Sequence, residues 1–179
     1  VTITGTLSPT FSTDLTANWK TYTNIKYLFS VKYPNDWSIL ESKPEYVRFF
    51  KGTYKATEPI PETYISFLLK EKGDISLASW LLAQGLLPTV GNLQGNIQKE
   101  ELSVGGISGV KITTPINGGQ ATIYLPIGKN ILQISSVFMG ESQTDYNSLV
   151  KIFDQILSTF KFIDQNNNSV TKTQLQGFV

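Results

Sequence analysis

Apolar residues recur at every second position in a series of short segments along this 179-residue chain, and the spacing widens to three and four in only two places. A period of two is that of a strand with one buried and one wet face; a period of three to four is that of an amphipathic helix. The order of these segments restricts the chain to sheet-based folds with few helices. The clearest helix comes last. Tyr146, Leu149, Val150, Phe153, Ile156, Leu157 and Phe160 form one stripe, opposite Asn147, Lys151, Asp154, Gln155 and Ser158. Ser142 or Thr144 offers its N-cap, and Asp145 suits the positive helix end.

Nearer the start, Tyr27, Phe29, Val31 and Tyr33 alternate with Lys26, Leu28, Ser30 and Lys32, which predicts a strand over 27–33. Pro34 ends it for want of an N–H, Asn35-Asp36 turns, and residues 37–40 are expected to return as its hairpin partner. Strands follow at 46–51 and 63–71; Ile65, Phe67, Leu68 and Leu69 suit the second to a central position. Asp74 or Ser76 caps a short helix through Leu77, Trp80 and Leu81, closed by Gly85 and Pro88. Further strands are expected at 97–104, 109–114, 121–126 and 131–138, with turns at Gly105-Gly106, Asn117-Gly118 and Gly128-Lys129-Asn130. The expectation is an α+β fold: an antiparallel sheet flanked by helices.

Two motifs resemble PsbP-like domains, including those of exported bacterial proteins. One is the opening Phe29-x-Val31-x-Tyr33-Pro34-x-x-Trp37, and the other is the closing Phe153-x-x-Ile156-Leu157-x-Thr159-Phe160-x-Phe162. Between them, the segment 102–112, with its glycine turn before a strand, is similar to the same family. The resemblance implies the α/β/α sandwich shared by PsbP and Mog-type proteins, spanning residues 19–163. It also implies a binding or accessory role rather than catalysis. Photosynthetic members serve the oxygen-evolving complex and its ion retention, with histidine among their metal-contacting residues. This chain has no histidine to carry that role over.

Composition removes other classes of function. Without histidine or cysteine there is no neutral-pH imidazole base, no thiol nucleophile, no disulfide and no zinc–thiolate site. A net charge of +1 gives no field to draw nucleic acid or anionic lipid. No cofactor and no nucleic-acid partner are expected, and the folded domain is expected to be a monomer that does not insert into a membrane. Residues 1–18 are rich in Thr and Ser and read as a flexible spacer behind a removed signal or an upstream anchor. Residues 164–179 read as a polar tail. The expected location is extracytoplasmic, secreted or held at a bacterial cell surface, and the partner is an unidentified protein or envelope component.

Several constellations that could carry chemistry have plainer readings. Glu100 and Glu101 are strand neighbours and so point to opposite faces, which prevents both from lining one cleft. Asp164, Asn166 and Asn168 sit at the first, third and fifth positions of a calcium loop, but Ser169 replaces its glycine and Leu175 its bidentate Glu. The glycines at 105–109 precede a strand, not the helix a phosphate cradle needs. Two partner-binding candidates remain. Arg48, Lys51, Tyr54 and Lys55 interleave cations with aromatics. Leu86, Leu87 and Val90 form either an exposed patch or satellite core. Two alternatives stay open. A carboxylate-dependent extracellular hydrolase needs two of Asp36, Glu41, Glu71 and Glu100 to converge. An intracellular Mog-type adaptor would contact a small GTPase.

Overall fold

Nine residues with nearly unbroken apolar character make the strand β5 (Thr63–Glu71) the spine of the molecule. It pairs antiparallel with β9 (Asn130–Phe138) along its whole length, from Thr63 opposite Phe138 to Glu71 opposite Asn130. The computed structural model describes residues 14–55, 57–87, 97–114 and 120–163. Around that central pair, β3 (Trp37–Lys43) and β4 (Tyr46–Lys51) extend one side. On the other lie β8 (Gln120–Ile127), β7 (Ile107–Thr114) and β6 (Gln98–Val104). The seven-stranded order is β3-β4-β5-β9-β8-β7-β6, antiparallel throughout. A second sheet holds β1 (Lys20–Asn24), β2 (Phe29–Tyr33) and the two-residue β10 (Lys161–Phe162), with β2 central.

Two helices take opposite faces of the large sheet. Ser76 caps α1 (Leu77–Ala83), its hydroxyl accepting from the Ser79 N–H, and Gly85 follows at φ 68° as the residue that leaves the helix. Trp80 and Leu81 bury against Val110, Ile112, Tyr124 and Ile131. Ser142 caps α2 (Gln143–Ser158) in the same way through the Asp145 N–H. Leu149, Phe153 and Ile156 meet the other sheet face together with the small sheet, in the main core. At its centre Phe29 stacks on Phe160 and Phe67, with centroids 5.3 and 5.9 Å away. The layers are therefore α1, the large sheet, and α2 with the small sheet: the expected α+β sandwich.

The structure changes three local expectations. Tyr27 lies in a turn rather than a strand, because Leu28 takes a left-handed φ of 57° and β2 starts only at Phe29. Residues 37–40 do not pair with β2. Pro34-Asn35-Asp36 instead carries the chain from the small sheet to the edge of the large one, and β2 pairs with β1, which the apolar spacing did not reveal. Finally, within the expected spacer 1–18, position 16 is buried while 14, 15, 17 and 18 are exposed. Thr16 is buried, and it donates through its N–H and hydroxyl to the Asp14 carboxylate, which these bonds hold below its usual pKa. The rest of the expected spacer and the 164–179 tail, with its calcium-like residues, lie outside the described residues.

Candidate functional site

Along β4, alternation sends Val47 and Phe49 into the α2-side core and turns Tyr46, Arg48 and Phe50 to the face that α1 occupies. Among the described residues, α1 reaches β7, β8, β9 and the Lys70–Glu71 end of β5, where the Trp80 indole donates to the Glu71 carbonyl. Over the remainder of that face, above β3, β4 and the middle of β5 and β9, no helix lies among the described residues, and Tyr54 packs edge-on against Phe50.

Strand registers order the side chains on this face into rows. One row runs Leu40, Arg48, Ser66, Ser135, Thr122 across five strands. The next runs Tyr46, Leu68, Gln133, Tyr124. On the other flank Tyr64 stands opposite Val137. The hydroxyl-bearing middle row is recessed: Ser66 and Ser135 are only 6% and 9% exposed, although no helix among the described residues lies over them. Thr122 and Ser135 share a hydrogen bond of 3.2 Å, and the Gln133 amide nitrogen donates to Ser135 at 3.2 Å. Gln133 Oε1 is buried with no hydrogen-bond partner among the described residues, a condition that costs ~1–3 kcal/mol.

Arg48 dominates one end of this trough. It is the chain's sole arginine among 15 basic residues. Its guanidinium lies 4.6 Å from the Tyr46 ring centroid and 5.1 Å from that of Tyr64, and its Nε donates to the Tyr46 hydroxyl. It forms no ion pair among the described residues. Glu101, the carboxylate that these rows place on the same face, stands on β6 at the far edge of the sheet. A guanidinium steadied by two rings and lacking a counter-ion has donors to offer a ligand.

The other sequence candidates disperse. Lys51 faces the opposite side of β4 and lines a separate groove of about 460 Å³ with Pro61, Met139, Asp145 and Ile152. Lys55 makes a solvated pair with Glu58 at 3.5 Å. Tyr54 reaches the Arg48 face through Phe50. Leu86 and Leu87 pack against the Trp80 cluster as satellite core, and Val90 lies outside the described residues. Sequence reasoning missed Tyr64, Ser66, Gln133 and Ser135, whose proximity to Arg48 depends on strand pairing rather than local spacing.

The four acids named for a hydrolase stand on separate parts of the fold: Asp36 in the turn before β3, and Glu41, Glu71 and Glu100 on β3, β5 and β6. Glu41 accepts from the Tyr22 hydroxyl at 3.1 Å, and Glu100 pairs with Lys111 at 3.6 Å. Burial, reinforced by the Glu41 charge, pushes the Tyr22 phenol up to about 12. Glu100 and Glu101 point to opposite faces, as their adjacency requires. Among the described residues no three His, Cys, Asp or Glu gather as metal ligands, and no helix is long and apolar enough to cross a membrane.

The chain matches no protein-family model and no curated protein. Solved structures do resemble it. Cyanobacterial PsbP (CyanoP) from Synechocystis aligns with TM-score 0.51 at 14% identity, over 80% of this chain and 91% of that one. A protein from Bacteroides thetaiotaomicron aligns with TM-score 0.51 at 13% identity over 83% of this chain, which spans half of that protein's length. A weaker likeness, TM-score 0.48 at 17% identity over 82% and 86% of the two chains, is to LpqN of Mycobacterium tuberculosis, involved in cell envelope biogenesis. At such identities the likeness is one of fold, and the fold is PsbP-like.

Proposed function

We propose that this chain is a non-catalytic binding domain working outside the cytoplasm, and that the sheet face around Arg48 is where its partner docks. One observation carries the reading: the chain's single guanidinium is held beside two tyrosine rings, with no carboxylate pairing it among the described residues. The ring contacts stabilise the guanidinium but do not neutralise its charge, which leaves its remaining N–H donors for an anionic partner. The non-catalytic assignment draws on the absence of histidine and cysteine and on the dispersal of the four named acids. The extracytoplasmic location draws on the sequence resemblance and on the Thr/Ser-rich stretch 1–18. The accessory role is supported by the PsbP-like fold.

The test is capture from cell-envelope extracts by immobilised wild-type protein and by Arg48→Gln, which keeps much of the side chain's bulk but not its charge. The wild type is expected to retain a component that Arg48→Gln loses by tenfold or more. Equal retention by both would remove Arg48 from the interface, and turnover of an envelope polymer by the purified domain would refute the non-catalytic reading.

A further inference from the structure

The end of β4, the start of β5 and the first turns of α2 line the open groove of about 460 Å³ that Lys51 faces, apart from the Arg48 face. We infer that this groove docks a short protein segment in which basic side chains stand beside apolar ones. α2 presents Asp145, Ser148, Leu149 and Ile152 to it, at i, i+3, i+4 and i+7. That spacing keeps one helix face in line for two turns, about 10 Å. Pro61, Met139, Leu149 and Ile152 supply the apolar part of the wall. Some of this apolar surface is left to water: Met139 is 38% exposed, and Ile60, next to Pro61, is 42% exposed. A partner that covers it gains by its removal from solvent.

Charge decides what kind of segment fits. Glu62, Glu141 and Asp145 bring three carboxylates to the lining against one ammonium, that of Lys51. None of the four forms an ion pair among the described residues. The Thr63 hydroxyl donates to Glu141 at 2.8 Å and the Ser142 hydroxyl to Asp145 at 2.6 Å. These bonds orient two of the carboxylates without supplying a counter-charge. The positive end of α2 would otherwise draw an anion, but the Ser142 cap and Asp145 already occupy it. A closed pocket buries roughly 70–90% of a small molecule. Here Glu62, Met139, Glu141 and Asp145 are themselves exposed, so the groove is too open to enclose one. Three or four extended residues of a chain cover its length of about 10 Å.

Amide NMR titration of the full chain with three blocked hexapeptides tests the inference: alternating lysine and leucine, alternating lysine and serine, and alternating glutamate and leucine. The lysine–leucine peptide is expected to bind about tenfold more tightly than either of the others. Its shifts should centre on the amides of Thr63, Met139, Glu141 and Ser148. Glu62→Gln combined with Glu141→Gln should weaken it by about tenfold and Met139→Gln by about threefold, while Arg48→Gln leaves it unchanged. Circular dichroism and urea midpoints check that the variants stay folded. Equal binding of the lysine–serine peptide would mean that charge alone acts, and equal binding of the glutamate–leucine peptide that apolar contact alone does; either overturns the inference. So does the absence of binding, or a set of shifts centred on Arg48. Sedimentation at the same protein concentrations examines the other occupant: a dimer that shifts these amides and excludes the peptide would assign the groove to a second copy and overturn the inference as well.

Discussion

Gly105→Ala should destabilise the protein through a contact that reaches across the chain. Gly105 turns β6 into β7 at φ 58°, a left-handed conformation that costs an L-residue ~1–2 kcal/mol. A Cβ there would stand 2.8 Å from Phe160 Cδ1 and 3.3 Å from the Phe160 carbonyl oxygen. The ring cannot simply step aside. It is 3% exposed, stacked on Phe29 at 5.3 Å and meeting Phe162 edge-on at 5.1 Å. Overpacking of this kind adds ~1–3 kcal/mol, so the total should be about 2–5 kcal/mol. Phe160→Val deletes the offending ring atoms at a cost below the ~3–5 kcal/mol of Phe→Ala. In that background Gly105→Ala should cost only the backbone part. Urea unfolding of the two single variants and the double variant should then give a coupling of about 1–2 kcal/mol. Equal cost of Gly105→Ala in both backgrounds would refute the proposed ring contact.

Two further predictions concern the join between the small sheet and the β3–β4 edge. The Tyr22 phenol is held near 12, so it stays neutral in the folded protein while the unfolded chain ionises near 10. Its stabilising contribution is complete below pH 10 and disappears as pH rises to 12. Urea midpoints measured from pH 8.5 to 11.5 should fall steeply in the wild type and less in Tyr22→Phe; Tyr33 and Tyr124, also raised by burial, keep some slope in both. An identical slope in the variant would contradict the assignment to Tyr22. Asn24, 3% exposed, donates to Tyr22 Oη and the Pro44 carbonyl and accepts from the Tyr27 N–H. Asn24→Ala should therefore cost ~2–3 kcal/mol in denaturant melts, and a cost under ~0.5 kcal/mol, the range of plain surface sites, would show that these bonds hold little.

Where the physics is local, the sequence already contains the structure. Strands at Tyr46–Lys51 and Thr63–Glu71 and the stripe from Tyr146 to Phe160 follow from period and propensity alone, and turn chemistry narrows each cap to two residues, of which the structure takes Ser76 and Ser142. β1 escaped because its inward residues are Tyr22 and Asn24, one of them polar, so no apolar alternation marks it. Pairing escaped as well: Pro34-Asn35-Asp36 suits a hairpin and a crossing between sheets equally, and only tertiary burial chooses. The site shows the same division. Arg48 and Tyr46 are neighbours on one strand and visible as such, whereas Tyr64 arrives through the β4–β5 pairing. Gln133 and Ser135 arrive from a strand some seventy positions further along. Such long-range register carries no local signature.

The docking face is tested most directly by placing a photo-crosslinking residue at Leu40, opposite Arg48 in the strand register, and another at Ser158 on the exposed side of α2. With envelope extracts, the account predicts an adduct from position 40 that Arg48→Gln abolishes, and none of the same mass from position 158. The same adduct from position 158 alone, or an adduct at position 40 indifferent to Arg48, would contradict it.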